Sequence, residues 1–309
     1  MFIYQQPCKP RFYINDFEYI LKTNSNILEE VSNPQQFFTL PVDLIPAQNQ
    51  QLTIPYTMHN PFMMLLGHKS VSTDYAVHSE GVTQLADNIM NFNEDYLKQG
   101  WSLSALNDLT TGFTIGNIDG STPTGEIGSI ILGSYYDLSA STEFSLTMTR
   151  ELDGIKKVTT KGGADLFHNK YLGGVKWGTL APWELSGSGF NQELVKKGRR
   201  TWNLTFKMLL HDKVFPKVYN YLNYNTDSED IDNILNDTLG ESVTFFTQVL
   251  QKVGSNTPFI FNPNGGGASP NVNHNLDMMA VVKFNQNKFD FKQIASSVYQ
   301  LTLKIIEVW

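Results

Sequence analysis

The final run of the chain, VYQLTLKIIEVW, places Tyr299, Leu301, Leu303 and Ile305 on one face and Gln300, Thr302 and Lys304 on the other. Successive side chains of a strand point to opposite faces, so this alternation is the signature of a half-buried β-strand. A terminal strand closing on Trp309 is expected to be held by pairing rather than to trail free. The same period of two recurs. RTWNLTFKMLL alternates Trp202, Leu204, Phe206 and Met208, and EFSLTMTREL alternates Phe144, Leu146 and Met148. After the latter, Asp153-Gly154 precedes IKKVTT, and Asp-Gly between two β-patterned runs predicts a hairpin.

Other stretches extend the β reading. Residues 10–22 open with an aromatic, strand-like segment, and Met63–Leu66 is apolar on both faces and stopped by Gly67, as in a buried strand. Ile130–Leu132 reads the same way. Two segments switch to helical spacing. Val82, Leu85, Ile89, Phe92 and Tyr96 predict a helix over 79–100, and the pattern from Ile231 to Val253, stopped by Gly254, predicts a second. The fold expected is mainly β: β-sandwich or jelly-roll-like domains with a few inserted helices. A seam near Ser134–Thr142 divides the chain into 1–138 and 139–309.

Charge narrows the partners. Aromatics at 12%, charged residues at 17% and a formal charge of −7 suit β-structure and protein interfaces. They argue against nucleic acid, which needs a basic face. The one basic knot, Lys196-Lys-Gly-Arg-Arg200, reads as a solvated loop edge or a contact to an acidic partner. A single cysteine, Cys8, excludes an internal disulfide framework. The start MFIYQQPCKPRF has no signal-peptide core, and no apolar run approaches the roughly 20 residues of a membrane helix. A reducing cytoplasm is the expected place of maturation.

No motif carries recognisable chemistry. The histidines show no HExxH and no pair at helical spacing, and one cysteine rules out Cys-rich zinc sites. Gly187 and Gly189 are followed by Gln192 where a dinucleotide fingerprint needs glycine, and there is no GxxxxGK or GxSxG. No catalytic residue, cofactor or metal is expected. The long segment 162–200 and the Gly/Asn/Pro-rich 262–276 are expected to reach neighbouring chains, since loops of that length are uncommon without a role. Trp177, Trp183, Arg199, Arg200 and Trp309 are the interface candidates, because aromatics and arginine dominate protein contacts.

Several segments, in order, resemble a family of tailed-bacteriophage virion structural proteins found in marine contractile-tailed phages. They are KPRFYINDFEYI, MMLLGHKSVST, EIGSIILGSYYD, FSLTMTRELDGIKKVTTKGGADL, GRRTWNLTFKML, TPFIFNPN and KFDFKQIASSVYQLTLKIIEVW. MLLGHKSVST followed by EIGSIILG also resembles galactose-binding-like jelly rolls of phage tails, with Lys69 where that turn usually has Asn. The resemblance implies a non-enzymatic tail or baseplate subunit, assembled in the host cytoplasm into a virion, whose partners are other tail proteins and copies of itself. It leaves a carbohydrate-binding module for host surface glycans as the alternative, and a glycan-degrading tail enzyme as a remote one.

Overall fold

A computed structural model describes residues 9–16, 50–53, 58, 60–66, 75–79, 101–105, 112–117, 129–138, 144–151, 155–169, 199–215, 243–266 and 279–308. These form a mainly β protein built on one large antiparallel sheet. Its strands are β1 (Lys9–Asn15), β3 (Pro61–Leu66), β5 (Trp101–Ala105), β7 (Ser129–Asp137), β8 (Phe144–Glu151), β11 (Arg199–Leu210), β12 (Phe259–Gly266), β13 (Ala280–Phe284), β14 (Phe291–Ala295) and β15 (Val298–Glu307). The order across the sheet is β5-β3-β7-β1-β12-β13-β15-β11-β8, with β14 added beside β15. A second sheet holds β2 (Gln50–Thr53), β6 (Gly112–Asn117) and β4 (Tyr75–Ser79), with β6 in the middle. A separate hairpin pairs β9 (Ile155–Thr159) with β10 (Asp165–Asn169).

The terminal alternation sets the face of β15. Leu301, Leu303 and Ile305 are fully buried, while Thr302 and Lys304 are exposed. On β11 the same parity buries Trp202, Leu204 and Phe206. It then breaks. The ladder with β15 shifts between Phe206 and Leu209, so one extra residue is accommodated, Leu209 turns inward and Met208 outward. Met208 was expected on the inward face; the bulge is why it is not.

β1 is central. Phe12 and Ile14 face one apolar cluster and Tyr13 the other, which explains a strand buried without alternation. The larger cluster gathers Phe12, Phe245, Phe259 and Phe261, with ring centroids 5.4–5.9 Å from Phe12. Trp202 on β11 and Phe261 on β12 lie 5.8 Å apart although three strand intervals of about 4.8 Å separate their strands, so the sheet curls over its own core in β-sandwich fashion. Two helical pieces plug this core. A turn, α1 (His211–Val214), inserts Val214, and a π-helical turn (Phe246–Leu250) running into α2 (Gln251–Val253) inserts Val249, Leu250 and Val253. Gly254, at φ 60°, stops α2 as its position in the sequence predicts. Val243 and Thr244, which the same pattern put in that helix, are not helical; its earlier part before 243, and the helix expected over 79–100 beyond Ser79 in β4, lie outside the described residues.

The 138/139 seam falls between β7 and β8. The main sheet runs across it through the β1–β12 ladder, so strands from both sides share one core. Close packing at these ladders demands glycine twice. A β-carbon on Gly133 would collide with the Ile14 carbonyl, and one on Gly265 would lie 2.6 Å from Arg11 Cβ.

Candidate functional site

Strands form over 144–151 and 155–159 as the flanks of Asp153-Gly154 suggest, but among the described residues β8 pairs with β11 and β9 with β10. The turn that closes a hairpin is therefore 160–164. Thr160 N–H donates to the Ala164 carbonyl at 2.8 Å, and Gly163 N–H to the Thr160 carbonyl at 2.9 Å. The Thr160 hydroxyl accepts from Ala164 N–H at 3.1 Å. Gly163 adopts φ 81°, a conformation that favours glycine.

This ribbon stands in solvent. From Lys157 to Phe167 every side chain is exposed except half-buried Thr160. Val158 opposes Leu166 across the ladder, so both lie on one face, at 49% and 59% exposure. Phe167 opposes Lys157 on the other face and is 63% exposed. The hairpin's polar stitching is local. Lys157 Nζ lies 2.7 Å from Asp165 Oδ2, and the Thr159 hydroxyl donates to Asp165 Oδ1 at 2.8 Å. Those two contacts, Lys157 first, hold the Asp165 carboxyl below the usual carboxylate range. A lone two-stranded hairpin is marginal in water. This one carries three large apolar side chains, Val158, Leu166 and Phe167, outward.

The predicted contact residues divide. Arg200 is turned inward, 6% exposed, and its guanidinium is 5.4 Å from the Trp202 ring. Its Nη2 donates to Glu307 Oε1 at 2.6 Å and to the Met279 carbonyl at 3.1 Å, while Nε donates to Glu307 Oε2 at 3.1 Å. Arg199, one residue earlier, keeps partial exposure and donates through Nε to the Glu307 carbonyl at 2.9 Å. Together they latch β11 to the end of β15. Trp177, Trp183 and Trp309 lie outside the described residues, as do most of the 162–200 and 262–276 segments; of these, 162–169, 199–200 and 262–266 are described.

A second latch holds β1. Arg11 makes a two-pronged pair with Asp137 on β7, stacks 4.0 Å from the Tyr135 ring, and is 4% exposed. Burial opposes its charge, but the Asp137 and Tyr13 contacts outweigh that and raise its pKa. Asp16 receives Lys252 Nζ at 2.8 Å, which ties β1 to α2.

One of the concavities among the described residues is ringed by amide and charged side chains. A depression of about 410 Å³ lies between the β13–β14 connection and β15, lined by Gln286, Lys288, Asp290, Lys292, Gln300 and Lys304 among others. Gln286 spans it, its Oε1 accepting from the Lys304 backbone N–H at 2.8 Å. Such a mixture of amides and ammonium groups suits hydroxyl-rich or anionic ligands. Among the described residues no three His, Cys, Asp or Glu side chains gather as a metal site would require, and no helix is long and apolar enough to cross a membrane.

The sequence reading missed the hairpin's register and the polar depression. Alternation in IKKVTT and ADLFHN was a usable signal for the first; the second needs β14 and β15 to pair, which spacing does not reveal. No protein-family model, no curated protein and no solved structure matches the chain.

Proposed function

We propose that the chain is a structural subunit of a tailed-phage virion, placed in the baseplate, which works by docking to neighbouring subunits. The sequence resemblance supplies the kind of particle. The observation that carries the mode of action is the β9–β10 hairpin, whose Val158, Leu166 and Phe167 present apolar surface on a ribbon too small to be stable alone. On this reading the curled sheet is a rigid block and the hairpin is the arm that engages other tail proteins or further copies of the chain. Mass spectrometry of gradient-purified particles, scaled to the tail-tube protein, tests it. Closed rings require whole-number copies, so about six or twelve per particle is the expected result. Absence from the particle would overturn the proposal.

A second reading, recognition of host surface glycans, draws on the polar depression of Gln286, Lys292, Gln300 and Lys304. Binding of the purified chain to a glycan array, lost on Gln300→Ala, would favour it. A blank array would remove it.

A further inference from the structure

We infer that the lysine-rimmed depression beside β15 receives the acidic run 227–237 of a second copy of the chain, so that copies join head to tail. The inference rests on the assembly reading and names one contact for it.

The depression has a fixed floor. Along one edge β15 changes partners: β13 ladders with it as far as Phe284↔Ile305, and β14 takes over at Phe291↔Leu301. The Gln286 side chain closes the gap. Its Oε1 accepts from the Lys304 N–H at 2.8 Å, and its Nε2 donates to the Thr302 carbonyl at 3.4 Å. Asn285 N–H donates to the Lys304 carbonyl at 2.8 Å. A second depression of about 360 Å³ shares Asn285 and Gln286 with the first and extends it toward Asn256 and Lys283, whose Nζ donates to Asn256 Oδ1 at 3.3 Å.

The rim is cationic. Lys288, Lys292 and Lys304 are exposed, and among the described residues no ion pair holds them; Asp290 is the one carboxylate lining either depression. Ammonium groups over an amide floor select an anion that also offers hydrogen-bonding groups.

Two features choose an acidic peptide. Phe284 is the one ring among the residues lining either depression, and it is 2% exposed, so a sugar ring finds no aromatic face to stack on. The chain itself supplies the peptide. Between Lys217 and Lys252 the sequence has six acids and no Lys or Arg, so this stretch carries −6 of the formal −7. Four of the acids, Asp227, Glu229, Asp230 and Asp232, are packed into one short run, which lies outside the described residues.

An acidic protein with one cationic trough thus carries both members of a complementary contact. The members are different surfaces, so the contact is heterologous, the kind from which rings are built. Exposed charge pairs are weak singly and screened by salt, so two chains hold each other loosely and a closed ring adds the contacts together.

The test uses two variants of the full chain. One reverses the rim (Lys288→Glu, Lys292→Glu, Lys304→Glu); the other neutralises the run (Asp227→Asn, Glu229→Gln, Asp230→Asn, Asp232→Asn). Both should melt like the parent, as exposed substitutions do. At tens of micromolar and low salt the parent should sediment as dimers and larger species, and at about 0.5 M salt as a monomer. Each variant alone should be a monomer. Mixed, they should give a one-to-one dimer and nothing larger, because only one intact rim and one intact run remain to meet. A monomeric parent, variants that still associate, or a mixture that does not pair each overturns the contact. So does a parent that stays monomeric yet binds a polyuronate, which would give the depression to an acidic glycan. The particle measurement judges the assembly reading separately.

Discussion

Two ion pairs of nearly equal length separate the body of this molecule from its arm. Arg200 and Glu307 lie 2.6 Å apart with side chains 8% and 12% exposed; Lys157 and Asp165 lie 2.7 Å apart with side chains 53% and 36% exposed. The first is desolvated, hydrogen-bonded on several sides and backed by Trp202. The second is bathed in water and screened by salt. Bond length thus says little about worth. Burial says whether a pair locks the fold or only shapes a loop, and in this chain it separates the curled sheet from the exposed β9–β10 hairpin.

The largest effect should come from breaking the inner pair. Arg200→Ala leaves Glu307 buried without its guanidinium, and a loss of about 3–5 kcal/mol in denaturant unfolding is expected. Replacing both members, Arg200→Met with Glu307→Leu, should recover most of it, because apolar side chains of similar volume avoid the cost of desolvation. A double variant as unstable as the single would show that the latch does more than neutralise itself.

A smaller loss, about 1 kcal/mol, is expected for Tyr136→Phe, which removes the hydrogen bond donated to the Lys213 carbonyl at 2.8 Å. The same variant sharpens the account through pH. Burial, with help from Asp137 and Asp212, raises the pKa of Tyr136, and burial likewise raises that of Tyr13. An unfolded tyrosine ionises near about pH 10. The stability that the neutral phenols contribute is complete below that pH and is lost as pH rises from there toward their folded values. Alkaline unfolding should therefore be shallower in Tyr136→Phe than in the parent.

On the arm the expected effect on stability vanishes. Asp165→Asn should leave the global unfolding midpoint where it was, at pH 7 and at pH 3 alike. The carboxyl's lowered pKa would favour the folded hairpin above the usual carboxylate range and lose that benefit as pH falls, but water and salt around this solvent-facing pair screen the effect. A shifted midpoint would mean that hairpin and body unfold as one unit. Leu166→Ser with Phe167→Ser should also melt like the parent, yet fail to enter particles in a competition with it.

Much of the body was legible because burial follows parity. The alternation in VYQLTLKIIEVW placed Leu301, Leu303 and Ile305, and the same count continued two residues further places Glu307 inward. Counting back from Trp202 places Arg200 inward as well, so the basic knot at 196–200 held a readable clue that one of its members belongs to the core. What the alternation could not show was that these two residues, 107 positions apart, would meet. Pairing between distant strands depends on which edges are free. That is also why β1 was recognisable as a strand but not as the centre of the sheet, and why Asp153-Gly154 suggested a hairpin that Thr160 to Ala164 makes instead. The Met208 reversal has a local cause, the one-residue bulge in β11. The exposed apolar groups of the arm were present in the sequence but indistinguishable from core residues until both faces of β9–β10 were seen to be open.

The central claim is that a rigid sheet carries an arm awaiting a partner. Hydrogen exchange of the β9–β10 amides, compared between the purified chain and gradient-purified particles, tests it most directly. The account predicts exchange of these amides within seconds to minutes in the free chain, slow exchange for β1 and β12, and strong protection of the hairpin in the particle. Hairpin amides that are as protected in the free chain as those of β1, or as fast in the particle as in solution, would contradict it.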